Sequence, residues 1–101
     1  MTMPDIDARG RPHLTCGQCQ TVVVWPGELS AKAKADIAEV ARRDARRAAQ
    51  LVERQHGLDV REGRALVVHV TRASGTCHRC ESRVSHGETL CAKCHAANLD
   101  W

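Results

Sequence analysis

Apolar positions recur along this chain in a helical rhythm over its middle. Ile37, Val40, Ala41, Ala45, Ala48, Leu51 and Val52 follow one another at intervals of three and four, the repeat that places side chains on one face of an α-helix. Alanine is abundant there and favours helix in its own right. Ser30 offers an N-cap, and Gly57 suits the left-handed position just past a helix end. The pattern predicts one helix over roughly residues 31–55. A second start signal follows at once, because Asp59 and Glu62 have capping-box spacing with Leu58 placed before the cap. It predicts a second helix over residues 60–71, presenting Leu66, Val67 and Val70. Gly63 and the run Val67-Val68-His69-Val70-Thr71 leave strand as the alternative for residues 64–71. The short His56-Gly57-Leu58 link makes the two helices antiparallel neighbours. Thr21 to Trp25 is β-branched and aromatic and reads as a short strand, closed by a turn at Pro26-Gly27.

These elements divide the chain into a flexible tail (1–12), an N-terminal C-x-x-C segment with a short strand (13–29), a helical hairpin (30–73) and a cysteine-rich end (77–101). Ser74-Gly75 hinges the last two. The expected fold is small, metal-stabilised and mainly α. Metal enters because the composition is lopsided. The 101 residues hold two tryptophans, Trp25 and Trp101, and no Phe or Tyr, so the usual core-filling side chains are scarce in a chain that is small to begin with. Six cysteines fall in three pairs, Cys16/Cys19, Cys77/Cys80 and Cys91/Cys94.

No apolar run exceeds the four residues of Val22 to Trp25 or Ala65 to Val68, far short of the roughly 18 that span a bilayer. The first ten residues lack the apolar stretch of a secretory signal. The expected compartment is therefore the cytoplasm, with no membrane partner. Thiols stay reduced there, and C-x-x-C pairs hold metal or perform redox chemistry.

In Cys77-His78-Arg79-Cys80, ten residues, Cys91-Ala92-Lys93-Cys94, each pair can turn both sulfurs inward on one tight knuckle. Two facing knuckles close a tetrahedron with no open position, a structural site, and soft thiolates select zinc or iron. The spacing resembles the short zinc-ribbon family over residues 77–94. That resemblance implies one zinc on Cys77, Cys80, Cys91 and Cys94. Glu81 stands where glycine usually follows the first knuckle, and His95 follows the second. His78, between two ligands, is expected to face solvent, and His86 to lie exposed in the hairpin.

Cys16 and Cys19 have no second pair of their own. Four readings stand side by side: a second zinc completed by His13, His56 or His69; a metal bridged across a homodimer; a shuffled pairing with Cys77/Cys80; and redox activity, since Cys-Gly-x-Cys is similar to the thioredoxin-type motif. Residues 57–67 resemble the Gly-Leu-x-Leu-Lys-Glu-Ala-Lys-x-Leu-Val stretch of the bacterial ribosomal stalk protein's C-terminal domain, a turn entering a helix, with Gly63 in place of the family's alanine. The close of the chain, residues 90–98, resembles small HNH endonucleases. The ten residues between the knuckles lack that family's Asp-His pair, so the implied reading is at most a nuclease remnant. No phosphate loop, nucleophile elbow or zinc-protease motif is present, and the expectation is a protein that is not an enzyme.

The formal charge of +3 falls to near +1 once four thiolates hold one zinc, so total charge does not argue for nucleic acid. Local patterning does. Arg43, Arg47, Gln50 and Arg54 form one stripe along the first predicted helix, and arginine outnumbers lysine twelve to three, which suits phosphate. The expected function is a small zinc-binding regulatory module that meets a DNA or RNA backbone through Arg43, Arg47 and Arg54. The alternative is a protein–protein adaptor anchored by Trp101.

Overall fold

The computed structural model describes residues 5–7 and 10–101. Eight elements follow one another: β1 (Asp5–Ile6), β2 (Pro12–Thr15), β3 (Val22–Val24), α1 (Ala31–Arg43), α2 (Ala45–His56), α3 (Val60–Val68), β4 (Gly87–Leu90) and β5 (Ala97–Asp100). β1, β2 and β3 form an antiparallel sheet in that order, and β4 and β5 form an antiparallel pair. Three short helices and two small sheets make a mixed fold, which corrects the expectation of a mainly helical one. The predicted tail also differs in part: Ile6 pairs with Pro12 and carries the first sheet back to residue 5. Residues 1–4 and 8–9 of that tail lie outside the described residues.

The single helix expected over 31–55 is two helices. The break is Asp44, held extended at φ −155°, ψ 99°. Its N–H donates to the Val40 carbonyl at 2.7 Å, closing α1. Its carboxylate accepts from the Arg47 N–H at 3.2 Å, opening α2. Aspartate competes for nearby backbone N–H groups and so favours caps over helix interiors, and the apolar rhythm runs on across the break. The start of α1, the end of α2 and the start of α3 are as the sequence predicts. Ser30 Oγ accepts from the Ala33 N–H at 3.0 Å, Gly57 takes φ 71°, and Asp59 and Glu62 form a reciprocal capping box.

Gly63 explains its departure from alanine. A Cβ there would lie 3.1 Å from Val52 Cγ2 and 3.4 Å from the Ala49 carbonyl, so glycine lets α3 sit close against α2. α3 stops at Val68 rather than residue 71, and the chain then does what its β-branched run suggests. Val70 bridges Leu99 in parallel, the Thr71 N–H donates to the Leu99 carbonyl at 3.1 Å, and the Leu99 N–H donates to the His69 carbonyl at 2.9 Å. Helix and strand readings of residues 64–71 each hold for part of the segment.

One apolar cluster joins segments that the sequence separates. Leu14 and Val23 of the first sheet and the adjoining Trp25 meet Ile37 and Ala38 of α1, Ala48 and Val52 of α2, Leu66 and Val67 of α3, Ala97 and Leu99 of β5, and Ala96 just before it. β5 is buried along its whole length. Its carboxylate, Asp100, is 1% exposed. It accepts from Thr71 Oγ1 and the Gly75 N–H, both at 2.8 Å. Arg42 reaches the same group, with Nε on the Thr71 carbonyl and Nη2 on Thr71 Oγ1, both at 2.8 Å. Trp101 stacks edge-on against Trp25, ring centres 5.8 Å apart, and its indole N–H donates to Glu88 at 3.1 Å. No helix among the described residues is long and apolar enough to cross a membrane.

Candidate metal centres

All three C-x-x-C pairs adopt one backbone turn. In each, the first cysteine's N–H donates five residues ahead: Cys16 to the Thr21 carbonyl at 2.9 Å, Cys77 to Ser82 at 2.7 Å, Cys91 to Ala96 at 2.9 Å. Its carbonyl accepts from the residue after the second cysteine: Gln20 at 2.9 Å, Glu81 at 3.1 Å, His95 at 2.9 Å. That residue must turn left-handed, and Gln20, Glu81 and His95 take φ of 61°, 64° and 65°. They are the non-glycine residues with positive φ among the described ones. Glycine is the usual occupant of such a conformation; here the turn forms without it. The first cysteine of each pair is buried at 1% exposure.

The second and third turns face each other. Sγ atoms of Cys77, Cys80, Cys91 and Cys94 all lie within 4.8 Å of one another. Cys77 and Cys94 are 3.7 Å apart and Cys80 and Cys91 3.5 Å. Disulfide sulfurs sit at about 2.05 Å, and all six cysteines are free. A metal–sulfur bond of about 2.3 Å sets the edge of a tetrahedron at about 3.8 Å. The sulfurs therefore fit a four-thiolate metal ion. Two donors serve one of them: the Arg79 N–H and Asn98 Nδ2 each reach Cys77 Sγ at 3.4 Å.

Electrostatics point the same way. Hydrogen bonds from the Ser82 side chain and backbone hold the Cys80 thiol down to about 6. Burial and the neighbouring sulfurs Cys80, Cys77 and Cys91 push Cys94 up to about 12. Four thiolates this close repel one another, so without a cation they do not all ionise together. A divalent ion removes that repulsion.

The first turn gathers a different set. Cys16, Cys19 and His69 bring their ligand atoms within 4.8 Å of one another. Of the three histidines proposed from sequence, the fold selects His69, at the end of α3. Cys19 Sγ is 3.5 Å from its Nε2. His13 sits in β2 opposite Val24, and its buried Nδ1 has no partner. His56 ends α2. Neither joins the cluster. The shuffled pairing of Cys16/Cys19 with Cys77/Cys80 is not what the fold brings together, and the first pair finds its third group within its own chain.

Sequence reasoning missed how the turns interlock. Gly17 donates to the His95 carbonyl at 2.8 Å, and a Cβ on Gly17 would lie 2.6 Å from that oxygen and 2.7 Å from His95 Cβ. Gln18 Nε2 donates to the Cys94 carbonyl. The Ala97 N–H donates to Cys16 Sγ at 3.5 Å, while the next residue, Asn98, serves Cys77. β5 thus supplies donors to both clusters. His78, expected to face solvent, is half-buried; its Nε2 donates to the Ala97 carbonyl at 2.9 Å, and desolvation lowers its pKa. His86 is exposed, as expected, with Nδ1 3.4 Å from Asp100.

The arginines divide into two kinds. Arg43 pairs with Glu39 at 2.9 Å and lies across the Asp44 break from Arg47 and Arg54, so the expected continuous stripe is interrupted. Arg46, Arg47, Arg54, Arg61 and Arg64 are exposed on α2 and α3. Trp101, the expected anchor, is half-buried against Trp25 with Lys34 Nζ 5.5 Å from its ring centre. Comparison with protein-family models, with curated proteins and with solved structures finds no match.

Proposed function

We propose that this chain is a small non-enzymatic zinc protein in which Cys77, Cys80, Cys91 and Cys94 hold one structural zinc in a short zinc-ribbon arrangement, and that it acts as a nucleic-acid-associated binding module. The observation that carries the metal half is the four free sulfurs spaced as a metal tetrahedron requires. Zinc is favoured over iron by the structural role: a redox-inert ion gives a closed centre whose binding energy is folding energy. Free thiols at every pair suit a reducing compartment such as the cytoplasm.

The binding half is supported by Arg46, Arg47, Arg54, Arg61 and Arg64, which are exposed and have no acidic partner within 4.0 Å among the described residues. Unpaired guanidinium groups on two adjacent helices suit a phosphate backbone. Scarce aromatics argue against base stacking, so duplex is the better partner. A second reading, a protein adaptor, is favoured by Val60 and Val68, exposed at 51% and 63% beside the groove between α2 and α3.

The test is twofold. Elemental analysis of purified protein should give at least one zinc per chain, and Cys80→Ser should carry one fewer than wild type; a metal-free folded chain would sink the first half. Duplex binding should weaken steeply with salt, with a slope shallower by about one for each arginine contact removed in Arg47→Ala or Arg54→Ala. Binding that ignores both salt and these arginines, and weakens on Val68→Asp, would favour the protein partner.

A further inference from the structure

We propose that Cys16, Cys19 and His69 bind a second transition-metal ion, through two thiolates and one imidazole, and that its fourth position takes a small exchangeable ligand. The inference deepens the metal-binding reading above and rests on it only in requiring that the folded chain hold metal.

Distances support coordination. Bonds of about 2.3 Å to sulfur and about 2.0–2.1 Å to nitrogen place adjacent S and N ligands of a tetrahedral ion about 3.5–3.6 Å apart. Cys19 Sγ and His69 Nε2 are 3.5 Å apart. The imidazole is also oriented for the task. His69 is 3% exposed, and its Nδ1 lies 2.6 Å from the Ala65 carbonyl. A carbonyl only accepts, so Nδ1 carries the proton and Nε2 keeps its lone pair toward Cys19. An outer carbonyl fixing the tautomer of a ligating histidine is a recurrent feature of metal sites. The thiolates sit on a turn that matches the two turns of the four-cysteine cluster bond for bond, with an N–H from Ala97 on Cys16 Sγ. Two thiolates and a neutral imidazole balance a divalent ion, so this centre is neutral where the four-thiolate one is not.

Among the described residues no fourth Cys, His, Asp or Glu atom lies within 4.8 Å of all three. The adjacent imidazole, His78, has its ring centre 5.3 Å from that of His69, but its Nε2 is committed to Ala97. Cys19 is exposed, so the remaining position opens outward. Three N/S ligands with an accessible fourth site make a centre that exchanges water for a neutral nitrogen donor or a small anion.

Cobalt(II) titration of the reduced, full-length chain tests this, because thiolate-to-cobalt absorption reports the number of sulfurs per ion. Wild type should bind two cobalt ions per chain, one with four-thiolate intensity and one with half of it. Cys19→Ser, at an exposed position, and His69→Ala should each bind one, retaining the four-thiolate spectrum and, by circular dichroism, the helices. Azide or imidazole should shift the visible bands of wild type and of His78→Ala, and leave Cys19→Ser unchanged. No cobalt at all sinks this proposal and the structural zinc together. One cobalt with a four-thiolate spectrum in wild type, or two in Cys19→Ser, sinks this proposal alone. A wild type insensitive to azide and imidazole overturns the exchangeable position, and a response gained in His78→Ala would assign that position to His78.

Discussion

Replacing Glu81 by glycine should make the four-cysteine turn more stable. Glu81 sits at φ 64° immediately after Cys80. A non-glycine residue there costs about 1–2 kcal/mol through the clash of its Cβ with the following carbonyl. Glycine removes that clash but costs about 0.4–1 kcal/mol by adding freedom to the unfolded chain. The central values leave a gain of about 0.8 kcal/mol, a factor of about 4 in an equilibrium constant at 25 °C. Removing a carboxylate near four thiolates is a separate electrostatic effect. Glu81→Gln isolates it, since glutamine keeps the Cβ and loses the charge. Arg79→Gly is the opposing control: residue 79 is not in the left-handed region, so glycine there should destabilise by about 0.5–1 kcal/mol. Urea unfolding at a fixed, buffered free-zinc concentration reads all three. Glu81→Gly should have the highest midpoint. A midpoint at or below that of Glu81→Gln would refute the strain argument.

Gly17→Ala should disrupt the contact between the first and third turns, because its Cβ would meet His95 at 2.6–2.7 Å; a loss of about 1–3 kcal/mol in unfolding is expected, and a neutral result would show that the two turns do not pack as described. Arg42→Ala should cost about 2–3 kcal/mol, since it leaves the buried Asp100 and the Thr71 carbonyl without their cation, whereas exposed Arg47→Ala should stay within about 0.5 kcal/mol. Trp101→Ala, which removes the edge-on contact with Trp25, should cost about 2–3 kcal/mol and shift the remaining tryptophan emission toward the red. In metal-free protein, mass spectrometry of iodoacetamide adducts at pH 7 should find Cys19 and Cys80 modified well before Cys94: Thr21 and Ser82 hold the first two down to about 6, so they are thiolates above that pH, and Cys94 at about 12 is not. Their advantage should vanish as pH falls through about 6, and zinc should suppress modification of Cys80.

Legibility followed the range of the interaction. Gly57 as a C-cap and the Asp59–Glu62 box involve residues at most a few positions apart, and both are where the pattern places them. Asp44 is a local signal that the longer apolar rhythm hid: alanine on either side keeps the three-and-four spacing, while the aspartate caps one helix and starts the next. The strand character at the end of the Val67 to Thr71 run is readable and holds for the residues after α3, but its partner is not. Val70 and Thr71 pair with Leu99, nearly thirty residues away, and no local pattern encodes that choice.

The cysteines mark the same boundary. Their spacing alone determined that each pair turns back on itself, because a C-x-x-C segment has few ways to point two sulfurs to one side. It also made Cys77, Cys80, Cys91 and Cys94 a natural set, the two pairs being separated by ten residues. Only the tertiary structure decided what joins Cys16 and Cys19. His13, His56 and His69 are equivalent on chemistry, and His69 wins because α3 ends where the first sheet packs, with Ala65 orienting its ring. It also decided how the chain builds a core with so few aromatics. Burying β5 against residues 69–71 and the cysteine turns puts Leu99 into one core with both tryptophans, since contacts between distant segments of a chain depend on packing rather than on sequence spacing.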